Sequence, residues 1–208
     1  MNDLALAVIS PSHTTDDEIG ILVNLFSRGL EVYHFRKPEF SLERTAAFLD
    51  HIPERFHNRI VLHNHHRLVE RFGLRGIHYT EARRKKELDR LSGIRRDRPG
   101  LTLSSSFHLI GDIERQGHVF DYLFLSPVFD SISKKNYTAA FDSIQLQAFL
   151  ASWPRPVYAL GGVDATRIPA VRKLGFSGAA VLGAVWEHND PLQAFTVIKQ
   201  AAEAGNTV

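Results

Sequence analysis

Short apolar runs return along the chain, separated by longer stretches in which apolar residues recur every three or four positions. The runs fall at 4–9, Val32–Phe35, Ile60–Leu62, Gly76–Tyr79, 101–104, Tyr122–Leu125, Val157–Leu160 and 179–182. Continuous apolar runs this short read as strands buried on both faces, as in parallel sheets. Between them, 16–28 sets Ile19, Leu22, Val23 and Phe26 on one stripe, with Gly29 where a C-terminal cap belongs. The stretch 41–51 carries Leu42, Thr45, Phe48 and Leu49 behind Ser41 as N-cap, and 164–174 opens on a capping Asp164 and closes at Gly175. Pro191 opens a last helix to 204, with Leu192, Phe195 and Ile198 in phase. Eight strands alternating with helical stretches in 208 residues predict an α/β fold, a single compact (β/α)8 TIM barrel spanning 1–208. An open doubly wound sheet would need fewer strands for this length.

Composition narrows the chemistry. The chain has no cysteine, which excludes disulfides, thiolate catalysis and zinc–thiolate sites. A formal charge of +2 is only mildly basic. Its densest cation runs, Arg83-Arg84-Lys85-Lys86 and the pair Arg95-Arg96, lack interleaved aromatics, so they read as solvated helix faces and no nucleic-acid partner is expected. No apolar stretch approaches the ~20 residues of a membrane span. The N-terminus shows no basic leader, and the expectation is a cytoplasmic protein without membrane partners.

Functional groups of a barrel gather where strands end. Here those positions are Arg36 and Lys37 in "VYHFRKPE", the histidines of "VLHNHH", His78 in "GIHY", Ser104, Ser105, Ser106 and His108 in "LSSSFH", and Ser126, Ser131, Ser133, Lys134 and Lys135 in "YLFLSPVFDSISKK". Gly161 and Gly162 end "ALGG", and Leu182 and Gly183 lie in "VLGAV". Loops after strands seven and eight commonly bind phosphate, because a backbone without Cβ lets several amides converge on one anion. Arg36, Ser131, Ser133 and Lys134 face the same mouth and suit a second anionic group, which Arg36 can hold bidentately. His57, His63, His65 and His66 lack a carboxylate to complete a ligand set, so they read as core or surface histidines and no metal site is expected. His78 suits packing in the barrel as well as a functional role. His108, just past a strand end and beside three serines, is placed to exchange a proton with a bound substrate.

In this order, "VYHFRKPE", "GIHY", "LSSSFH", "YLFLSPVFDSISKK" and the ending from "VYALGGVD" to "VLGAV" resemble the thiamine phosphate synthase family and its sister group, the thiazole tautomerases. The resemblance covers nearly the whole chain and implies a barrel holding a thiazole phosphate at Gly161, Gly162 and Gly183. For a synthase it implies a pyrimidine diphosphate held by Arg36, Ser106, Ser131, Ser133 and Lys134, with Mg²⁺ on the diphosphate. The carboxylates that would help hold Mg²⁺ are replaced by His65 and Arg83, poor ligands for a hard cation. The tautomerases use no metal; their histidine matches His108, while their glutamate is replaced by Lys37. Three readings stay open. The first is a metal-independent, tautomerase-like enzyme that needs no cofactor, with His108, Arg36 and Lys134 as its catalytic groups. The second is a thiamine phosphate synthase using Mg²⁺, and the third a non-catalytic binder of thiazole or thiamine phosphate. The partner is a small phosphorylated thiazole, joined by a pyrimidine diphosphate in a synthase; a homo-oligomer is compatible with the sequence, which marks no face for it.

Overall fold

The computed structural model describes residues 3–129 and 141–204. Eight parallel strands close on themselves in sequence order: β1 (Ala5–Ile9), β2 (Val32–Phe35), β3 (Ile60–Leu62), β4 (Gly76–Tyr79), β5 (Thr102–Phe107), β6 (Tyr122–Leu125), β7 (Val157–Leu160) and β8 (Gly178–Val181). Closure comes from β1 pairing with β8 in the register Ala5↔Gly178 to Val8↔Val181. Around the barrel lie α1 (Glu18–Ser27), α2 (Leu42–Asp50), α3 (Leu68–Phe72), α4 (Glu81–Asp97), α5 (Ile110–Gln116), α6 (Ser143–Ser152), α7 (Ile168–Leu174), α8 (Gly183–Trp186) and α9 (Pro191–Glu203). Among the described residues no helix is long and apolar enough to cross a membrane.

The helix ends follow the expected chemistry in part. The Ser41 side chain accepts from the Arg44 amide, and Gly29 and Gly175 both take positive φ, +94° each, past α1 and α7. Asp164 caps an earlier turn instead of α7, accepting from the amides of Thr166 and Arg167. The longest helix, α4, is where the basic run lies, and it is not uniformly solvated. Arg84 is fully buried, stacked 3.8 Å over the Phe107 ring, and donates to Ser105 Oγ at 3.1 Å and to Gln116 Oε1. Its guanidinium thus lies between α4 and the barrel wall.

Strand side chains alternate between two faces, and the core divides accordingly. Val8, Tyr33, Phe35, Ile77, Leu103, Phe107 and Leu123 point outward and pack with helix residues such as Leu22, Phe26, Leu49 and Phe195. Ala7, Ile9, Val32, Val61, Tyr122, Phe124 and Ala180 form a separate cluster inside the barrel. That inner space also holds His34, His63 and His78, each in ring contact with another of the three. His34 and His78 additionally lie 4.6 and 5.0 Å from the Phe124 ring.

The same alternation corrects the reading of Lys37. Next to axis-facing Arg36, it points outward, is 2% exposed, and places Nζ 2.6 Å from Glu18 Oε2 and 2.8 Å from the His13 carbonyl. Tyr33 donates its hydroxyl to the other Glu18 oxygen at 3.3 Å. The ammonium is consumed by this buried pair and does not face the mouth. Removing one partner of such a pair leaves an uncompensated buried charge, at a cost of ~3–5 kcal/mol. Lys37→Met should therefore lower the unfolding free energy by about that much, and adding Glu18→Leu should restore most of it. Urea midpoints measure both; a single variant as stable as wild type would show that the pair contributes nothing.

Burial sets the charge state of the inner histidines. His34 is pushed down to about 3 by desolvation, with Arg75 adding a smaller repulsion, and burial first holds His63 and His78 well below the ordinary imidazole range. His66, half-buried beside them, is pushed down to about 4, again mainly by burial and then by Arg83. An unfolded chain takes up these protons near pH ~6.5, whereas the folded chain takes them up only at far lower pH. The unfolded state thus binds more protons across that window, and stability falls as pH drops from ~6.5 toward ~3–4. Each such histidine adds up to ~1.4 kcal/mol per pH unit to that slope. His34→Gln, in an environment of His63, His78, Tyr122, Phe124 and the Arg75 charge, should flatten it by one proton in metal-free buffer. Chemical denaturation at a series of pH values measures the slope, and an unchanged slope would contradict the burial argument.

Candidate active site at the barrel mouth

The mouth is built at the C-terminal ends of the strands, as the closed parallel topology requires. Arg36 follows β2 and is fixed through its backbone: Ser10 Oγ donates to the Arg36 carbonyl at 3.0 Å, and the Arg36 amide donates to Ser10 Oγ at 2.8 Å. Its half-buried guanidinium has no hydrogen bond or ion pair among the described residues. A cation held in place, half out of water and unpaired is suited to an incoming anion.

The fifth strand is longer than the apolar pattern indicated, so all three serines lie within it. Ser104 is fully buried on the axis and lies 2.9 Å from His78 Nδ1. Ser105 points outward, accepts from Arg84 and donates to the Tyr79 carbonyl at 2.8 Å. Only Ser106 reaches the mouth, half-buried, with Oγ 2.8 Å from His78 Nε2. His78 is fully buried, so it joins the interior to the mouth through two serine hydroxyls.

His108 is the first residue past β5 and is exposed. Its Nδ1 lies 2.6 Å from the Ser126 carbonyl, which only accepts, so that nitrogen carries a proton. Nε2 is then the atom able to take up or release a proton, and Glu81 Oε2 lies 3.4 Å from it. Glu81 opens α4, and its hydrogen bond to Lys85 Nζ at 2.5 Å holds its carboxyl below the usual range, so it is ionised. Imidazole and carboxylate form a couple that sequence spacing does not announce, because they come from the loop after β5 and the helix after β4.

The glycine loops meet at the far side of the mouth. Gly161 and Gly162 have φ of +92° and +64°, and a Cβ on Gly161 would stand 3.0 Å from Pro127. The same hypothetical Cβ comes within 3.3 Å of Ser126 Oγ, so this loop adjoins the residue that orients His108. Gly161, Gly162, Leu182 and Gly183 line one cavity of about 180 Å³, together with Ala184 and Glu187. Glu187 was missed by the sequence reading. Four residues past Gly183, directly after α8, its carboxylate comes within 3.0 Å of where a Gly183 Cβ would be. Its side chain is exposed and free to turn outward, which an anion in this cavity would require.

A second cavity, about 570 Å³, is lined by Pro38, Phe40, Asn64, His65, His66, Arg67 and Arg83. His65 and Arg83, expected at the positions of two metal-holding carboxylates, are indeed brought together here. His65 takes a positive φ of +52° and lies with Nε2 2.7 Å from the Phe40 carbonyl, and Arg83 pairs with Glu87 at 3.0 Å. None of the lining residues is a carboxylate, so this donor set does not fit Mg²⁺, which requires hard oxygen ligands. Ser131, Ser133 and Lys134 lie outside the described residues.

The comparisons with known proteins agree with this architecture. The family model described as thiamine monophosphate synthase matches residues 5–185. The thiamine-phosphate synthase of Desulfitobacterium hafniense strain Y51 is 36% identical over 81 residues, 39% of this chain and 38% of that protein. That of Latilactobacillus sakei is 30% identical over 103 residues, 49% of this chain and 46% of that protein. The chain therefore spans less than half the length of these curated relatives. Among solved structures, the thiamine phosphate pyrophosphorylase of Bacteroides thetaiotaomicron superposes with a TM-score of 0.80 at 28% identity, covering 98% of this chain and 100% of that one. The corresponding protein of Pyrococcus furiosus, at 17% identity and a TM-score of 0.79 over 98% of both chains, adds likeness of fold. With its closed eightfold barrel, glycine loops and a match over most of its length, the chain belongs to the thiamine monophosphate synthase family.

Proposed function

We propose that this chain is a transferase of thiamine biosynthesis that joins a thiazole phosphate to a hydroxymethylpyrimidine diphosphate, releasing pyrophosphate. The observation that carries the reading is the near full-length likeness, at 28% identity, to the B. thetaiotaomicron pyrophosphorylase. This likeness supports the synthase over the tautomerase reading that the loss of carboxylates at His65 and Arg83 first favoured.

The mouth suits the reaction's charges. The thiazole phosphate sits in the glycine cavity of Gly161, Gly162, Leu182 and Gly183, with Glu187 turned out. The diphosphate is held bidentately by Arg36, with Ser106 beside it; Ser131, Ser133 and Lys134, outside the described residues, are the further donors that the family resemblance implies for it. As the pyrimidine methylene–oxygen bond breaks, the thiazole nitrogen supplies the pair for the new carbon–nitrogen bond. The departing pyrophosphate keeps the electron pair of the broken bond. His108 Nε2, with Glu81 Oε2 3.4 Å away, delivers a proton to that leaving group. No step is assigned to Mg²⁺, since the cavity of His65 and Arg83 offers it no carboxylate.

The His108–Glu81 couple also favours a second reading, proton transfer between isomers of a thiazole carboxylate phosphate. An assay separates the two. Pyrophosphate release should require both substrates; it is measured with Mg²⁺ and with EDTA because a diphosphate chelates on its own. Arg36→Ala should lower kcat/KM by ~10²–10³-fold, as expected for one charge-stabilising donor. His108→Asn should lower kcat by ~10²–10⁴-fold. Absence of release with both substrates, in either buffer, would sink the transferase reading, and solvent-deuterium exchange into the thiazole would then support the isomerase.

A further inference from the structure

Three imidazoles that are far apart in sequence meet inside the barrel. His34 comes from β2, His63 follows β3, and His78 lies in β4, and they are at most 4% exposed. One ring nitrogen from each can be chosen such that all three lie within 4.8 Å of one another. We propose that His34, His63 and His78 form a binding site for a divalent first-row transition metal, with Zn²⁺ as its preferred occupant.

The argument begins with the ring nitrogens. His34 Nδ1 faces His63 Nε2 at 3.0 Å, and His34 Nε2 lies 2.7 Å from the Tyr122 hydroxyl. His78 places Nδ1 and Nε2 at 2.9 and 2.8 Å from the hydroxyls of Ser104 and Ser106. Five of the six nitrogens thus have partners, and the sixth, His63 Nδ1, is buried with none. Because the two nitrogens of one imidazole point apart, an ion set beside His34 Nδ1 would bind His63 through Nε2 and leave this orphan as it is.

The distances suit a metal. Two nitrogens on one tetrahedral Zn²⁺, each bonded at ~2.0–2.1 Å, stand about 3.3 Å apart, so the His34–His63 contact needs to open only slightly. Ligating imidazoles usually hold their other nitrogen against an outer partner; Tyr122 already has that role for His34, and of the two serines on His78 one would keep it while the other gives way to the ion. All three rings are buried, away from competing water, and neutral imidazole is the form that ligates. Nitrogen donors with no carboxylate select Zn²⁺, Co²⁺ or Ni²⁺ over Mg²⁺. Three neutral ligands also leave a fourth position open. With the charge of Arg36 nearby, that position would take hydroxide or a substrate anion in preference to a neutral group.

The test uses the full chain stripped of metal by chelator. Equilibrium dialysis against Zn²⁺ should give one ion per chain, and Co²⁺ should give the intense visible absorption of tetrahedral coordination. His34→Gln and His78→Gln should reduce binding to the background of the triple His34→Gln, His63→Gln, His78→Gln variant. His51→Ala, an exposed histidine outside the barrel, should retain it. Tyr122→Phe, which keeps all three ligands and removes one outer partner, should weaken affinity by ~10–100-fold. Wild-type Zn²⁺ binding no greater than that of the triple variant would overturn the site. Should the triple variant fail to fold by circular dichroism, the wild type alone decides: no tetrahedral Co²⁺ band and no rise of Tm with Zn²⁺ overturns it equally. None of these readouts depends on the transferase activity.

Discussion

Closure of the sheet through β1 and β8 is the constraint from which the other features follow. Once the edge strands are paired, each strand has an inner and an outer face, and a residue's parity decides which it joins. Arg36 and Lys37 are neighbours with similar charge and opposite fates. The first faces the mouth with an unpaired guanidinium, and the second is turned under α1 and neutralised by Glu18. The same rule sends Ser104 and Ser106 to His78 and Ser105 to Arg84. A run of three identical residues thus serves the interior, the outer layer and the mouth.

The barrel was legible in the sequence because buried parallel strands are nearly continuous apolar runs, and five of the eight were bounded as they occur. The fifth was set too short because its second half is serine, and serine on an inner face carries no apolar signal. Its end matters, since it decides that Ser106 alone of the three reaches the mouth. The glycine loops and Arg36 were legible because strand-end position and backbone geometry need no knowledge of packing. Lys37 was misread because a cation at a strand end looks identical whether it faces a ligand or a buried carboxylate nineteen residues earlier. Arg84 was hidden within a run of four cations, where only the packed structure distinguishes the one that stacks on Phe107.

The histidines show most clearly what sequence order conceals. Clustering along the chain pointed to His57, His63, His65 and His66, yet these go to different places. His57 bonds the carbonyls of Phe72 and Ile52 outside the barrel, and His65 bonds that of Phe40. His63 instead joins His34 and His78, twenty-nine residues before it and fifteen after it, because three adjacent strands turn those positions inward. Spacing in sequence measures ligand sets on one helix or one turn. In a barrel the relevant measure is register between neighbouring strands.

Nitrogen donors dominate two separate parts of this protein. The cavity beside His65 and Arg83 offers imidazole and guanidinium donors, and the interior below the mouth is filled by imidazoles and hydroxyls. A hard cation binds weakly to either set, whereas a phosphorylated substrate brings the oxygen anions that guanidinium groups recognise. On the proposed reading, charge on the diphosphate is met at the mouth by the unpaired guanidinium of Arg36. Two carboxylates, Glu81 and Glu187, stand next to His108 and Gly183, where on the proposed reading they act on a proton and on the entrance to the anion cavity. Retained glycine loops with an altered donor set imply that substrate binding and charge stabilisation are separable in this barrel. If the backbone loops bind a phosphate as proposed, they need no particular side chains to do so, and the groups around them could change without loss of that binding.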